Sequence, residues 1–301
     1  MPPTTATPPL TTAKTDTPLP LDQPILEAAN PPRNASASDR IISGIDLIDY
    51  GAGGLLPNHV YIVKGTIGVG KSIVGLQYLT RGLEHQEPGI LITDQKPQNV
   101  IAQAKSIGFP LEDAVRRNQL AILNPSGRYF ELVESPADVM AIVQELGDYI
   151  RRIGARRLVI DPVYTLINTQ YSSHFALTLT QSLINALEDL PVTTLLIAGD
   201  DDNAELNPIV RMLEQNSFGV IALAKDPRTG GRHMRLSKLR YANADHLAAN
   251  YRILDGRGLI NYRGEEGENV VDVTKPWEEN AQTNRTVMVL GAQPETIRRV
   301  Q

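Results

Sequence analysis

The stretch YIVKGTIGVGKSIVGLQYL, Tyr61 to Leu79, decides the fold. It sets three glycines and a lysine after a short β-branched run, Val60 to Val63. A proline-free segment follows, with helical spacing through Ile73, Leu76, Gln77 and Leu79 to Leu83. Gly65, Thr66, Ile67, Gly68, Val69, Gly70, Lys71 and Ser72 satisfy the pattern G-x-x-x-x-G-K-[ST], a phosphate-binding loop where a strand precedes it and a helix follows. The glycines let backbone N–H groups turn toward an anion at the helix N-terminus, where the dipole adds partial positive charge. Lys71 is expected to reach the outer phosphates, and Ser72 to place its hydroxyl on Mg²⁺.

Outward from this loop, strands and helices alternate. Strand Val60 to Val63 leads to helix Lys71 to Leu83, strand Ile90 to Thr93 to helix Gln98 to Ser106, and strand Leu120 to Leu123 to helix Ala137 to Ile153. Strand Leu158 to Ile160, helix Ser173 to Leu187 and strand Thr193 to Ile197 continue the pattern. The alternation predicts an α/β fold, a wound, mostly parallel sheet flanked by helices. Gly219 to Ala224, the turn Asp226 to Gly231, and Met234 to Leu239 predict an antiparallel edge hairpin, which Tyr251 to Leu254 and Leu259 to Tyr262 extend.

Residues 1–38 are dense in proline and threonine and poor in aromatics, which predicts a disordered tail. The nucleotide-binding domain is expected over 39–275. Residues 276–301 form a C-terminal extension of unassigned role, with a strand-like Val287 to Leu290.

Composition narrows the classes. With 301 residues and 42% apolar side chains the chain can build a substantial core. No run of about 18 apolar residues spans a membrane, and the N-terminus lacks the features of a secretory signal, so a cytoplasmic location is expected. Zero cysteines exclude disulfides, thiolate metal sites and a cysteine nucleophile, and five scattered histidines make no metal-ligand pattern. A net charge of −5 gives no global attraction to nucleic acid.

A phosphate loop needs a carboxylate at the end of a neighbouring buried strand, because Mg²⁺ keeps most of its waters and takes few protein ligands. In RRLVIDP the apolar run Leu158 to Ile160 ends in Asp161, the candidate. A strand-end aspartate also serves as a helix cap.

Six segments then carry a resemblance: SGIDLIDYGAGGLLP, GTIGVGKS, EPGILIT, PQNVIAQAKSIGF, LVIDPVYTL and LSKLR. In this order, over roughly Arg40 to Tyr262, they resemble the RecA-like ATPases of the KaiC clock-protein family. The resemblance implies a RecA-like domain, ATP and Mg²⁺ as ligands, and a homo-oligomeric ring, most often a hexamer. Relatives activate the attacking water with a glutamate pair after the second strand. Here that place reads Thr93-Asp94-Gln95-Lys96-Pro97, one residue shorter. Asp94 is the candidate base, whereas Gln95 cannot accept a proton, so weak turnover is expected.

Relatives also contact the nucleotide from the adjacent subunit through a Lys-Leu-Arg segment, matched by Lys238, Leu239 and Arg240. Lys238 and Arg240 alternate on one strand and so share a face. A cation supplied in trans stabilises the charge of the transferred phosphoryl group. A basic edge strand also protects against edge pairing, the plainer reading of the same residues. Ser106 matches a serine that in relatives lies near base and sugar, and Asp255 matches an acid further on that the resemblance counts among the nucleotide-binding residues, while Ala242 and Ala244 replace a threonine and a histidine, which implies fewer polar contacts to adenine.

Three functions compete at this point. The first is a ring-forming ATPase with weak hydrolysis that acts as a nucleotide-dependent regulator or assembly scaffold, with a regulatory protein as partner. The second is a recombinase-like DNA-binding ATPase. Low aromatic content and the acidic run Asp200 to Asp202 with Glu205 argue against it, because single-strand binders need a basic groove with stacking rings. The third is a structural subunit that holds ATP without turnover. Thr169, Ser172 and Ser173 offer hydroxyls for self-modification but read as ordinary loop chemistry.

Overall fold

The computed structural model describes residues 40–125, 135–167, 173–199, 207–240 and 247–262, all within the compact unit Ala35–Gln301. Nine strands form one sheet: β1 (Val60–Gly65), β2 (Gly89–Thr93), β3 (Leu120–Leu123), β4 (Arg157–Asp161), β5 (Thr193–Gly199), β6 (Gly219–Lys225), β7 (Arg232–Leu239), β8 (Ala248–Leu254) and β9 (Gly258–Tyr262). Their spatial order is β3-β2-β4-β5-β1-β6-β7-β8-β9. The first six run parallel, and β7, β8 and β9 add antiparallel at one edge. This is the expected wound, RecA-like architecture, with the edge hairpin extended by two strands.

The parallel strands are buried along nearly their whole length, as strands covered on both faces must be. One face carries α1 (Asp46–Asp49), α2 (Lys71–Glu84), α3 (Pro97–Ser106) and α4 (Glu112–Arg116). The other carries α5 (Pro136–Ile153), α6 (Ser173–Glu188) and α7 (Asn207–Asn216). Helix α5 shows how local sequence sets such elements. Ser135 caps its N-terminus by accepting from the Asp138 amide, Pro136 occupies the first turn, and Gly154 ends it in the left-handed region at φ 68°.

Most strand and helix bounds agree with the sequence reading to within two residues; β8 begins earlier, at Ala248. Helices α1, α4 and α7 and the 3-10 turn Val163–Leu166 were not anticipated. Strand β4 begins at Arg157, which is 1% exposed. Its guanidinium bonds Glu87 Oε2 at 2.7 and 2.6 Å and the Tyr78 carbonyl at 2.7 Å, and stacks over the Tyr78 ring at 4.6 Å. A Cβ on Gly82 would strike the Arg157 side chain, which accounts for a glycine inside α2.

The parallel register sets the site. Gly65, at the end of β1, lies beside Gly199 of β5 and Leu223 of β6, and Thr93 of β2 lies beside Asp161 of β4. The loops leaving these ends meet at the carboxyl edge of the sheet, where open α/β sheets bind ligands.

Candidate functional site

The loop 65–70 joins β1 to α2 and is shaped by its glycines. Gly65, Gly68 and Gly70 have φ of 153°, 79° and 101°, in the region that disfavours side chains. A Cβ on Gly65 would strike the Leu223 carbonyl, and one on Gly70 would lie 2.7 Å from Ile253 Cδ1. At Gly68 a Cβ would meet nothing within 4 Å, so the loop is backed by protein at both ends and open at its middle. Thr66 and Ile67 are exposed beside this opening, Ile67 at 83%, while Val69 points into the core. Such a cradle fits a phosphate group, whose oxygens take backbone N–H donors.

Lys71 opens α2 and curls back over the loop. Its Nζ donates to the Gly65 carbonyl at 2.7 Å and the Thr66 carbonyl at 2.9 Å. The ammonium is thereby held at the mouth of the cradle. Ser72 follows, with its side chain close enough to Asp161 to favour the ionised carboxylate. Burial pushes the Asp161 carboxyl above its ordinary range and the nearby Asp94 carboxylate adds to this, while Ser72 and Lys71 oppose it. One hydroxyl and one carboxylate are oxygen donors of the kind that suit Mg²⁺ with most of its waters retained. Among the described residues no group of three or more histidine, aspartate or glutamate side chains forms a metal cage. The Asp161–Pro162 peptide is cis.

Asp94 and Gln95 leave β2 next to Asp161 and are exposed. Their backbone is pinned on two sides. The Gln95 amide donates to Thr93 Oγ1 at 3.2 Å, and Asn124 Nδ2 donates to the carbonyls of Asp94 and Gln95 at 3.1 and 2.8 Å.

Ser106 and Asp255 lie on two segments that touch. The Gly256 amide donates to the Ile107 carbonyl at 2.8 Å, and a Cβ on Gly108 would overlap Gly256. The Ser106 hydroxyl donates to Gln103 O at 2.7 Å, and both Ser106 and Asp255 are exposed. Strand β8 connects this flank to the cradle: the Tyr251 hydroxyl donates to the Val69 carbonyl at 2.7 Å, and Ile253 backs Gly70.

Lys238, Leu239 and Arg240 lie elsewhere. Leu239 pairs with Gly219, which lies beside Tyr61, and the Arg240 amide bonds the Phe218 carbonyl. They therefore stand at the opposite edge of the sheet from Gly65, on the order of 15 Å along the strands. Lys238 Nζ donates to the carbonyls of Glu214, Gln215 and Ser217 at 2.7, 2.8 and 2.7 Å, and Arg240 Nη2 to that of Asn216 at 3.2 Å. Both cations sit on the C-terminus of α7, where the helix dipole favours them. Burial, chiefly, and Arg240 lower the Lys238 pKa. The Leu239 side chain points into the core. Asp200 to Asp202, Glu205, Thr169, Ser172, Ala242 and Ala244 lie outside the described residues, as do 1–38 and 276–301.

Three supporting residues were missed by sequence reasoning: Asn124, Tyr251 and Gln77. Gln77, 9% exposed on the inner face of α2, donates Nε2 to the carbonyls of Gly44 and Leu259 and accepts from the Leu259 amide at 2.7 Å. A polar residue inside an apolar helical stripe was the available signal. Nothing local marks the other two.

Comparison with known proteins gives the family. The family described as "ATPase: KaiC" matches residues 39–266. The "Circadian clock oscillator protein KaiC" of Parathermosynechococcus lividus is 30% identical over 210 residues, covering 67% of this chain and 38% of that protein. Its counterpart in Parasynechococcus marenigrum (strain WH8102) is 30% identical over 219 residues, covering 70% and 41%. That of Synechococcus elongatus is 28% identical with the same coverage. The chain thus spans about two fifths of the length of these relatives. No helix among the described residues is long and apolar enough to cross a membrane.

Proposed function

We propose that this chain, which belongs to the KaiC ATPase family, is a slow Mg²⁺-dependent ATPase whose subunits assemble around the nucleotide as a regulator or scaffold. One observation carries the reading. The cradle of Gly65 to Gly70, the Lys71 ammonium, the Ser72 hydroxyl and the carboxylates of Asp161 and Asp94 converge at one edge of the sheet.

In this reading Lys71 exchanges two loop carbonyls for phosphate oxygens, a charge-assisted bond in place of a neutral one. The backbone amides of the cradle hold the phosphate chain. Ser72 and Asp161 hold Mg²⁺, which when bound neutralises charge on the outer phosphates. Asp94 accepts the proton of the attacking water, and Gln95 orients it. A shorter acid and an amide at this place support slow turnover. Ser106 and Asp255 flank the sugar and base, where the backbone of Leu239 from a neighbour also approaches.

Lys238 and Arg240 are too far from the cradle of their own chain to touch its nucleotide. Their use there requires a second subunit, and the closed ring, a hexamer, rests on family likeness. Residues 1–38 then form a tether, 39–275 the ATP-binding domain and 276–301 an extension, in a cytoplasmic protein. A second reading, an ATP-holding subunit without turnover, is favoured by Gln95 alone.

The test is ATP turnover by the purified chain, with its mass in solution measured with and without nucleotide. Slow phosphate release and an ATP-dependent rise in mass are expected. Assembly without phosphate release selects the second reading, and neither result with ATP defeats both.

A further inference from the structure

Asn124 is the one side chain among the described residues that bonds the backbone of both Asp94 and Gln95. It follows Leu123, the last residue of β3, which pairs with Ile92 of β2. Its amide therefore crosses from the outermost parallel strand to the turn leaving the next one. The single Nδ2 group, carrying two hydrogens, meets two successive carbonyls, and Thr93 Oγ1 fixes the amide of Gln95 from the other side. Beyond the turn, Lys96 is extended at φ −64°, ψ 137° and Pro97 starts α3. The turn is thus held at both ends and in its middle, which settles where Cα of Asp94 stands relative to Asp161.

We propose that Asn124 is a positioning residue for water activation, acting through Asp94. This rests on the hydrolytic reading above. A base must come within hydrogen-bond reach of the water it activates. An aspartate on a turn shorter by one residue has less reach than a longer acid, so its backbone must be aimed more closely. Asn124 supplies that aim from an adjacent strand, without itself touching the nucleotide. An aspartate at 124 would keep the shape, lose both donors and add negative charge against the Asp94 and Gln95 carbonyls.

The test compares steady-state turnover in wild type, Asn124→Ala, Asn124→Asp, Asp94→Asn and the double variant Asp94→Asn/Asn124→Ala. Two lost hydrogen bonds to the turn are expected to lower kcat about 10-fold in Asn124→Ala. Asn124→Asp is expected to be at least as slow. KM for ATP and the ATP-induced rise in melting temperature stay at wild-type values in both. In the double variant the loss equals that of Asp94→Asn alone, because residues acting as a unit are not additive. A fall in ATP binding alongside kcat, or additive losses in the double variant, overturns the positioning role. Wild-type turnover that Asp94→Asn reduces and Asn124→Ala leaves unchanged overturns this inference alone. No turnover in wild type overturns the hydrolytic reading and the inference with it.

Discussion

Ser72, in the first turn of α2, stands close enough to Asp161, the last residue of β4, for its side chain to favour the ionised carboxylate. The pairing sets the helix that follows the phosphate loop against β4, two strands from β1, beside a carboxylate whose ionisation burial opposes.

The sign of that opposition gives a pH dependence. Asp161 has a folded-state pKa above its unfolded value, so the folded chain binds its proton more tightly. Stability contributed by this group is then full below the ordinary carboxylate range and falls as pH rises through the raised value. Asp161→Asn removes the titration. At neutral pH and without nucleotide the variant is expected to melt higher than wild type and to depend less on pH, as thermal melts from pH 4 to 8, on the order of the relevant window, will show. The same variant loses Mg²⁺-dependent stabilisation by ATP. Half-buried Asp46 and Asp49 also have raised pKa values, but they are common to both proteins and cancel in the comparison.

Lys71→Ala is expected to weaken ATP binding by roughly 100-fold, the worth of a charge-assisted bond to phosphate. A thermal-shift titration reads this directly, since wild type at 100 times its Kd gains about 2.7 kcal/mol. Equal responses of the two proteins to ATP reject the loop assignment.

Gly70→Ala places a Cβ at φ 101°, which strains the backbone, and 2.7 Å from Ile253 Cδ1, a side-chain end that must turn aside. A loss of about 1–3 kcal/mol in urea unfolding is expected. Tyr251→Phe removes the donor to the Val69 carbonyl without changing shape, and about 1–2 kcal/mol is expected. Both variants weaken ATP binding, because both loosen the cradle while keeping Lys71.

The neighbouring cations Lys238 and Arg240 should separate. Lys238 donates to three carbonyls at the end of α7, so Lys238→Ala costs the single subunit about 1–3 kcal/mol before any assembly. Arg240 is exposed and makes one longer bond there. Arg240→Ala should leave subunit stability and nucleotide binding intact while reducing ATP-driven assembly and turnover together, by as much as about 10³-fold in rate. Light scattering and phosphate release measure the two. Arg240→Ala that slows turnover in an unchanged assembly confines the residue to chemistry.

Patterns short enough to repeat within one element were legible in advance. The phosphate loop, the apolar parallel strands and the edge hairpin all announce themselves within about ten residues, through glycine placement and hydrophobic period. Helix α7 was missed because its helical stripe is short and rests on Ile209, Val210 and Leu213. Arg157 was set outside its strand because charged residues are rarely buried, and its partners Tyr78 and Glu87 lie 79 and 70 residues away. Asn124 and Tyr251 act on backbone carbonyls of distant turns, and a carbonyl leaves no trace in the residue type that bears it.

The fastenings of Gln77 to Leu259 and of Tyr251 to Val69 each join residues 182 positions apart. Synthesis runs from the N-terminus, so a nascent chain that carries the whole glycine loop still lacks the hydroxyl that ties Val69 and the strand that anchors α2. Contacts this remote are closed late, after their loop entropy has been met by the rest of the sheet. The loop is written near the start of the domain, but its fastenings come from β8 and β9, the last strands among the described residues. A chain halted before these segments are made is expected to show a weaker response to ATP than the full chain, which a thermal-shift comparison of the two measures.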